Sequence, residues 1–126
     1  MSSPDRGAAP RRVRRVIERL VREGRIVARS DGPVHRVFPV AVSAAEGEAL
    51  RDRVVHEGAA KTVEIGLGYG LSALFVCEGL LANVGGAARH VAVDPAQATR
   101  FADCGLQVLA DAGLAQLVEF HPQIPG

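Results

Sequence analysis

Apolar positions along the chain follow two successive patterns. Between residues 11 and 22 they have helical spacing: Val13, Val16, Ile17, Leu20 and Val21 line one face, and Arg11, Arg12, Arg14, Arg15, Arg19 and Arg22 fill the rest. Residues 1–10 are mostly Ser, Pro, Gly and Ala with no apolar period, and read as a disordered start. After the helix, β-branched residues alternate around Ser30-Asp31-Gly32-Pro33, which predicts a short hairpin turning at Asp31-Gly32. A second helix has a marked start, because Ser43 stands three residues before Glu46 and the two side chains can each satisfy an amide of the first turn. Gly58 suits its end, and a narrow apolar side of Leu50 and Val54 with Ala45 or Ala49 suits packing on a sheet. From Lys61 the pattern becomes strand, helix, strand, helix, strand. The expected elements are Lys61 to Ile65, Leu71 to about Val84, Arg89 to Val93, about Ala96 to Ala112 and about Gln116 to His121. Three segments result: the start at 1–10, a helix and hairpin at 11–42, and an α/β segment with parallel strands at 43–126.

Composition narrows the class. With 126 residues, 48% hydrophobic and 23% charged, the chain reads as one soluble globular domain at most, short for a complete nucleotide-binding α/β domain. No apolar run approaches the roughly 18 to 20 residues that cross a bilayer, and no signal-peptide pattern follows Met1. Cys77 and Cys104 have neither disulfide-framework nor zinc-site spacing, so a reducing, cytoplasmic setting is expected. The four histidines are scattered, and no metal site is expected.

The net charge of +1 conceals an asymmetry. Residues 1–29 hold nine arginines against three acids, for +6; the rest holds six basic and eleven acidic residues, for −5. An arginine-faced helix is compatible with a nucleic-acid contact, a membrane surface or a targeting peptide. Docking by the Val/Ile/Leu stripe with a solvated arginine face is the plainer reading, since tertiary packing accounts for most such stripes.

The chemistry concentrates at Glu64-x-Gly66-x-Gly68-x-Gly70, between a strand and a helix. Glycines there let backbone approach a ligand closely, and the helix that opens at Gly70 directs free amides and its positive dipole end toward the same place. A bare strand-to-helix corner would also use glycine, and Ser72 could equally serve the helix start. The following strand ends at Asp94, a carboxylate 24 residues after Gly70, suited to accept from the hydroxyls of a ribose. A dinucleotide fingerprint would need glycine where Leu71 stands, and a phosphate-binding P-loop would need a lysine after the turn.

This motif, with Asp94 at the next strand's tip, resembles motifs I and II of the class I S-adenosylmethionine-dependent methyltransferases. Gly70-Leu71-Ser72-Ala73-Leu74 and Glu46-Gly47-Glu48-Ala49-Leu50 are similar to segments of the small-molecule O-methyltransferase branch. His90-Val91-Ala92-Val93-Asp94-Pro95-x-Gln97 and Val118-Glu119-Phe120-His121 resemble stretches of a bacterial subgroup of it. The resemblance runs from about Val40 to His121. It implies a Rossmann-like fold truncated after the third parallel strand, with the basic amphipathic helix in front. The implied cofactor is S-adenosyl-L-methionine, with Gly66, Gly68 and Gly70 beside its methionine portion, Glu64 toward its ammonium, Ser72 toward its carboxylate and Asp94 on its ribose. The implied reaction is methyl transfer to an oxygen of a small-molecule acceptor, and no residue is nominated as catalytic base. In the family's sheet order the first strand lies between the second and the fourth, so here Lys61 to Ile65 is expected at an edge, open to a second copy. The competing reading is a non-enzymatic binding module whose basic helix contacts a partner or nucleic acid.

Overall fold

The computed structural model describes residues 7–30 and 32–124. Helix α1 (Ala8–Glu23) begins three residues earlier than the periodicity suggests. Pro10 is tolerated because it falls in the first turn, where its missing N–H would have no intrahelical acceptor. Residues 8–10 therefore belong to the helix and Gly7 is its N-cap, while residues 1–6 of the expected disordered start lie outside the described residues. Strands β1 (Arg25–Val27) and β2 (Val34–Arg36) pair antiparallel as the expected hairpin; Asp31 of its turn also lies outside the described residues.

Helix α2 (Ala44–Glu57) carries the full capping box. Ser43 Oγ accepts from Glu46 N at 3.1 Å and Glu46 Oε1 accepts from Ser43 N at 3.0 Å, and the helix ends at left-handed Gly58. Its packing differs from the expectation. Its main partner is α3 (Leu71–Val84), the helix after the glycine turn, and Leu50 of its apolar side is exposed. The reason is Gly47, which lies so close to the Phe75 ring of α3 that a Cβ would fall 2.1 Å from it. Between α1, α2 and the sheet, α3 is buried on nearly every side from Leu71 to Leu80, as suits its nearly unbroken apolar run.

Strands β3 (Lys61–Ile65), β4 (Arg89–Val93) and β5 (Val118–His121) form a parallel sheet in that order, with a 3₁₀ turn at Gly85–Ala87 ahead of β4. Thr62 stands opposite His90, and Ile65 opposite Val93. The expected helix from Ala96 is found only as α4 (Cys104–Asp111), because residues 95–103 form turns in which Ala102 and Asp103 take positive φ. β5 starts two residues later than expected.

One hydrophobic core joins the N-terminal helix and hairpin to the α/β segment. Val13, Ile17 and Leu20 of α1 and Ile26 of β1 share it with Leu74, Phe75 and Val108. The hairpin is tied to α4 by Arg29 N donating to Gln107 Oε1 at 2.9 Å and Gln107 Nε2 donating to the Val27 carbonyl at 2.9 Å. Three arginines of the basic helix also bind the body. Arg12 Nε donates to the Asp111 carbonyl, Arg19 pairs with Asp111, and Arg14 bridges Glu48 of α2 and Glu78 of α3.

Candidate functional site

The parallel sheet brings the carboxyl ends of β3 and β4 together, and the two connections leaving them build one cleft. Gly66, Gly68 and Gly70 all have positive φ, at +90°, +57° and +85°, which lets five residues turn from strand to helix without side chains in the bend. A Cβ at Gly66 would meet nothing within 4 Å, so its backbone lies open to solvent. At Gly70 a Cβ would meet Val108 Cγ2 at 2.7 Å, so this glycine serves packing on α4. The cleft holds about 400 Å³ and is lined by the turn, Ser72, Asp94, Arg100 and Phe101, with Val40 to Val42 along the other wall. That volume lies within the range of small-ligand sites.

Of the residues singled out in the sequence, Gly66, Gly68, Gly70, Ser72 and Asp94 line this cleft together. Glu64 stands behind Ser72: the Ser72 hydroxyl donates to Glu64 Oε2 at 2.9 Å. Asp94 is 4% exposed and is engaged by the protein on both oxygens. Oδ2 accepts from Gly68 N at 2.9 Å and Gln97 Nε2 at 3.0 Å, and Oδ1 accepts from Ala96 N at 3.0 Å. A carboxylate offers about four acceptor positions, so one remains for a ligand.

Gln97 was not singled out, yet it holds the site together. It is 1% exposed; its amide N–H groups serve the Gly68 carbonyl at 2.8 Å and Asp94, while its Oε1 accepts from Gly105 N at 2.8 Å and Leu106 N at 3.2 Å. The glycine turn, the tip of β4 and the start of α4 thus meet on one amide. Tyr69 packs edge-on against Phe101 with ring centroids 5.0 Å apart, and its hydroxyl lies 3.3 Å from His35 Nδ1 of the hairpin. Burial raises the Tyr69 phenol above its ordinary pKa, so it stays protonated at neutral pH.

Beneath the cleft, His90 is also buried, with Nε2 3.0 Å from Glu64 Oε1 and Nδ1 2.8 Å from Thr62 Oγ1. Burial, reinforced by the Glu64 carboxylate, pushes the Cys77 thiol up to about 12, which makes it an inert packing group rather than a nucleophile. No group of three or more His, Cys, Asp or Glu placed to hold a metal occurs among the described residues. No helix among them is long and apolar enough to cross a membrane.

No protein-family model and no curated protein matches the chain. Solved structures do match its fold. The O-methyltransferase TomG from Streptomyces achromogenes, involved in tomaymycin synthesis and solved with SAM, superposes with a TM-score of 0.59 at 23% identity over 96% of this chain and 44% of its own. Cofactor-bound Rv0187 from MTB gives 0.56 at 22% identity over 89% of this chain and 42% of its own. The O-methyltransferase from Bacillus cereus in complex with SAH gives 0.56 at 22% identity over 88% of this chain and 42% of its own. The chain thus has the Rossmann-like α/β fold of part of these proteins, and spans less than half the length of each.

Proposed function

We propose that this chain is the cofactor-binding portion of a class I S-adenosylmethionine-dependent methyltransferase that acts on an oxygen of a small molecule. The observation that carries the reading is the glycine turn at the carboxyl edge of β3, with Asp94 and Ser72 beside it in one cleft, in a fold similar to structures solved with SAM and SAH.

The residues fit that cofactor chemically. Gly66 offers bare backbone, and the first turn of α3 adds amides with no intrahelical acceptor. Phe101, Val40 and Val42 supply apolar surface for a nucleoside, and Asp94 keeps an acceptor position for one ribose hydroxyl. Ser72 lines the cleft, and its hydroxyl donates to Glu64 at 2.9 Å. Glu64 supplies negative charge for the ammonium of the cofactor's amino-acid portion, while Ser72 and the amides of the first turn of α3 suit its carboxylate.

The bound cofactor supplies a methyl on a positively charged sulfur, and this chain's contribution is to orient that group for in-line attack by the acceptor. Cys77 and Cys104 are buried and form no disulfide, which supports a reducing, cytoplasmic setting. The nucleic-acid reading of the basic helix loses support from its arginines, since Arg12, Arg14 and Arg19 are committed to acceptors within the fold.

Calorimetry with S-adenosylhomocysteine tests the proposal. One-to-one binding that is weakened at least tenfold by Gly66→Val supports it. The bulky side chain at φ +90° would strain the turn and enter the open face. No heat and no protection of the glycine-turn amides at millimolar ligand would remove it.

A further inference from the structure

The β1–β2 hairpin lies outside the cleft yet touches both of the connections that build it. Its register sorts the side chains: Val27 and Val34 stand opposite each other on the exposed face, whereas Ile26 and His35, one position along, share the inner one. Ile26 joins the core, and His35 Nδ1 lies 3.3 Å from the hydroxyl of Tyr69, in the middle of the glycine turn. The Tyr69 ring meets Phe101 edge-on, and Phe101 lines the cleft beside Gly68. On the second connection, the Ser30 hydroxyl at the hairpin turn donates to the Ala102 carbonyl at 2.7 Å. That contact falls on a strained segment, since Ala102 and Asp103 have φ of +49° and +59°, which residues other than glycine rarely adopt. Such a backbone persists only where its surroundings hold it. Asp103 N donates to the Gln97 carbonyl at 2.9 Å from within the connection, and Ser30 holds the same segment from outside. Phe101 is thus fixed between two hairpin contacts, Ser30 on the residue that follows it and His35 through the ring of Tyr69.

We infer that the hairpin is a clasp across the two connections, and that Ser30 and His35 are positioning residues which hold the Phe101 ring as a wall for the ligand's nucleoside. The inference rests on the proposed cofactor site and adds to it a part of the chain that the glycine motif does not contain. Neither residue lines the cleft itself. Arg29 N and Gln107 Nε2 tie the hairpin to α4 independently, so loss of one clasp contact leaves the hairpin in place and frees only the connection it held. Without Ser30 the strained turn can relax, and Phe101 loses its fixed direction. Without His35 the Tyr69 ring loses the contact that sets its edge toward Phe101. In either case the wall becomes mobile, and the ligand must order it on binding at a cost in affinity.

Two backgrounds separate this role from general damage: the wild-type chain, and Phe101→Leu, which keeps apolar bulk without the ring. Dissociation constants for S-adenosylhomocysteine are measured by calorimetry on the full chain, with Ser30→Ala, Ser30→Thr, His35→Ala and His35→Asn placed in each. In the wild-type background Ser30→Ala and His35→Ala are expected to weaken binding about three- to tenfold. Ser30→Thr keeps the hydroxyl and His35→Asn keeps a polar atom near the place of Nδ1, so both should recover most of that loss. Phe101→Leu should itself weaken binding by a similar factor, and the alanine substitutions should then change it less than about twofold further, because the ring they act through is gone. Equal losses in both backgrounds, no loss from either alanine, or a Phe101→Leu chain that binds as wild type would overturn the inference while leaving the cofactor site standing. Tyr69 is the chain's single tyrosine and there is no tryptophan, so the emission of the ligand-free chain reports on the glycine turn alone. It should change in His35→Ala and return in His35→Asn; identical emission in all three would also overturn the role of His35. If the wild-type chain does not bind S-adenosylhomocysteine at millimolar concentration, the proposed function itself fails and the inference with it.

Discussion

Asp94 accepts from Gly68, Ala96 and Gln97 at 2.9, 3.0 and 3.0 Å, so removing its carboxylate releases the glycine turn as well as the proposed ligand contact. Asp94→Ala is expected to weaken S-adenosylhomocysteine about ten- to a hundredfold and also to lower stability by about 1 to 3 kcal/mol, read from calorimetry and a urea melt of the same variant. A large binding loss with an unchanged melt would mean that the turn does not need the carboxylate. Gln97→Leu isolates the structural part, because it strands the Gly68 carbonyl and the Gly105 and Leu106 amides without offering the ligand anything. It should cost about 2 to 4 kcal/mol in the same melt, the usual consequence of leaving several buried polar groups unsatisfied. At this scale the grouping of the glycines, Ser72 and Asp94 around one cleft was legible, because backbone conformation and strand-tip position leave marks in spacing. Gln97 and His90 were not, because each acts through partners that are brought to it only by folding: Gly105 lies eight residues from Gln97, and Glu64 lies 26 from His90.

Among the elements, α1 shows how a charged helix face can be internal to the fold. Arg14 donates to Glu78 at 2.7 Å through Nε and also pairs with Glu48, and both acids hold its guanidinium firmly in the charged form, Glu78 first. Glu78 is 5% exposed and shares Arg51 as a second cation, so Arg14→Met should cost about 1 to 3 kcal/mol rather than the larger loss of an orphaned buried charge. A urea melt in which Arg14→Met matches wild type would show that α1 docks by its apolar stripe alone. The same clamp carries a pH dependence. The hydrogen bond from Arg14 holds Glu48 below the usual carboxylate value of 4.5, so protons bind it less readily in the folded chain than in the unfolded one. Its contribution is complete above that value and is lost as the pH falls through the lower folded value. Melts between pH 6 and pH 3 should therefore lose stability on the acid side, and Glu48→Gln should make that limb shallower; an identical acid limb would rule Glu48 out as its source. The stripe of α1, the capping box of α2 and the strands were readable because each is a local pattern. The shortening of α4 was not, since it follows from Asp94 and Gln97 capturing the backbone of 95–105, and the seating of α2 on α3 follows from a glycine meeting a ring across the fold.

Taken whole, the molecule buries one face of its sheet and leaves the β3 side chains of the other exposed. Thr62, Glu64, His90 and Ala92 share the face under α3, whereas Val63 and Ile65 on the opposite face are 63% and 68% exposed. Among the described residues β3 pairs only with β4, so its other edge also presents unpaired N–H and C=O groups beside those apolar side chains. A parallel sheet is ordinarily covered on both faces, and the matched structures are each more than twice as long as this chain, with length to spare for such cover. The placement of the first strand at an edge was legible from the strand order that the resemblance implies. The degree of its exposure was not, because a five-residue run of alternating Thr, Val, Glu and Ile is equally suited to a strand covered on both sides. We expect the 126-residue chain alone to self-associate through β3 at micromolar concentration, seen as a concentration-dependent sedimentation coefficient. Ile65→Lys places a charge on the bare face at the last residue of the strand and should shift the chain toward monomer without loss of α-helical circular dichroism, since its side chain packs on nothing that the fold needs. A wild-type chain that sediments as a monomer across this range and melts in one cooperative step would show that the three-stranded sheet, buttressed by α1, α2, α3 and α4 on one side only, is sufficient by itself.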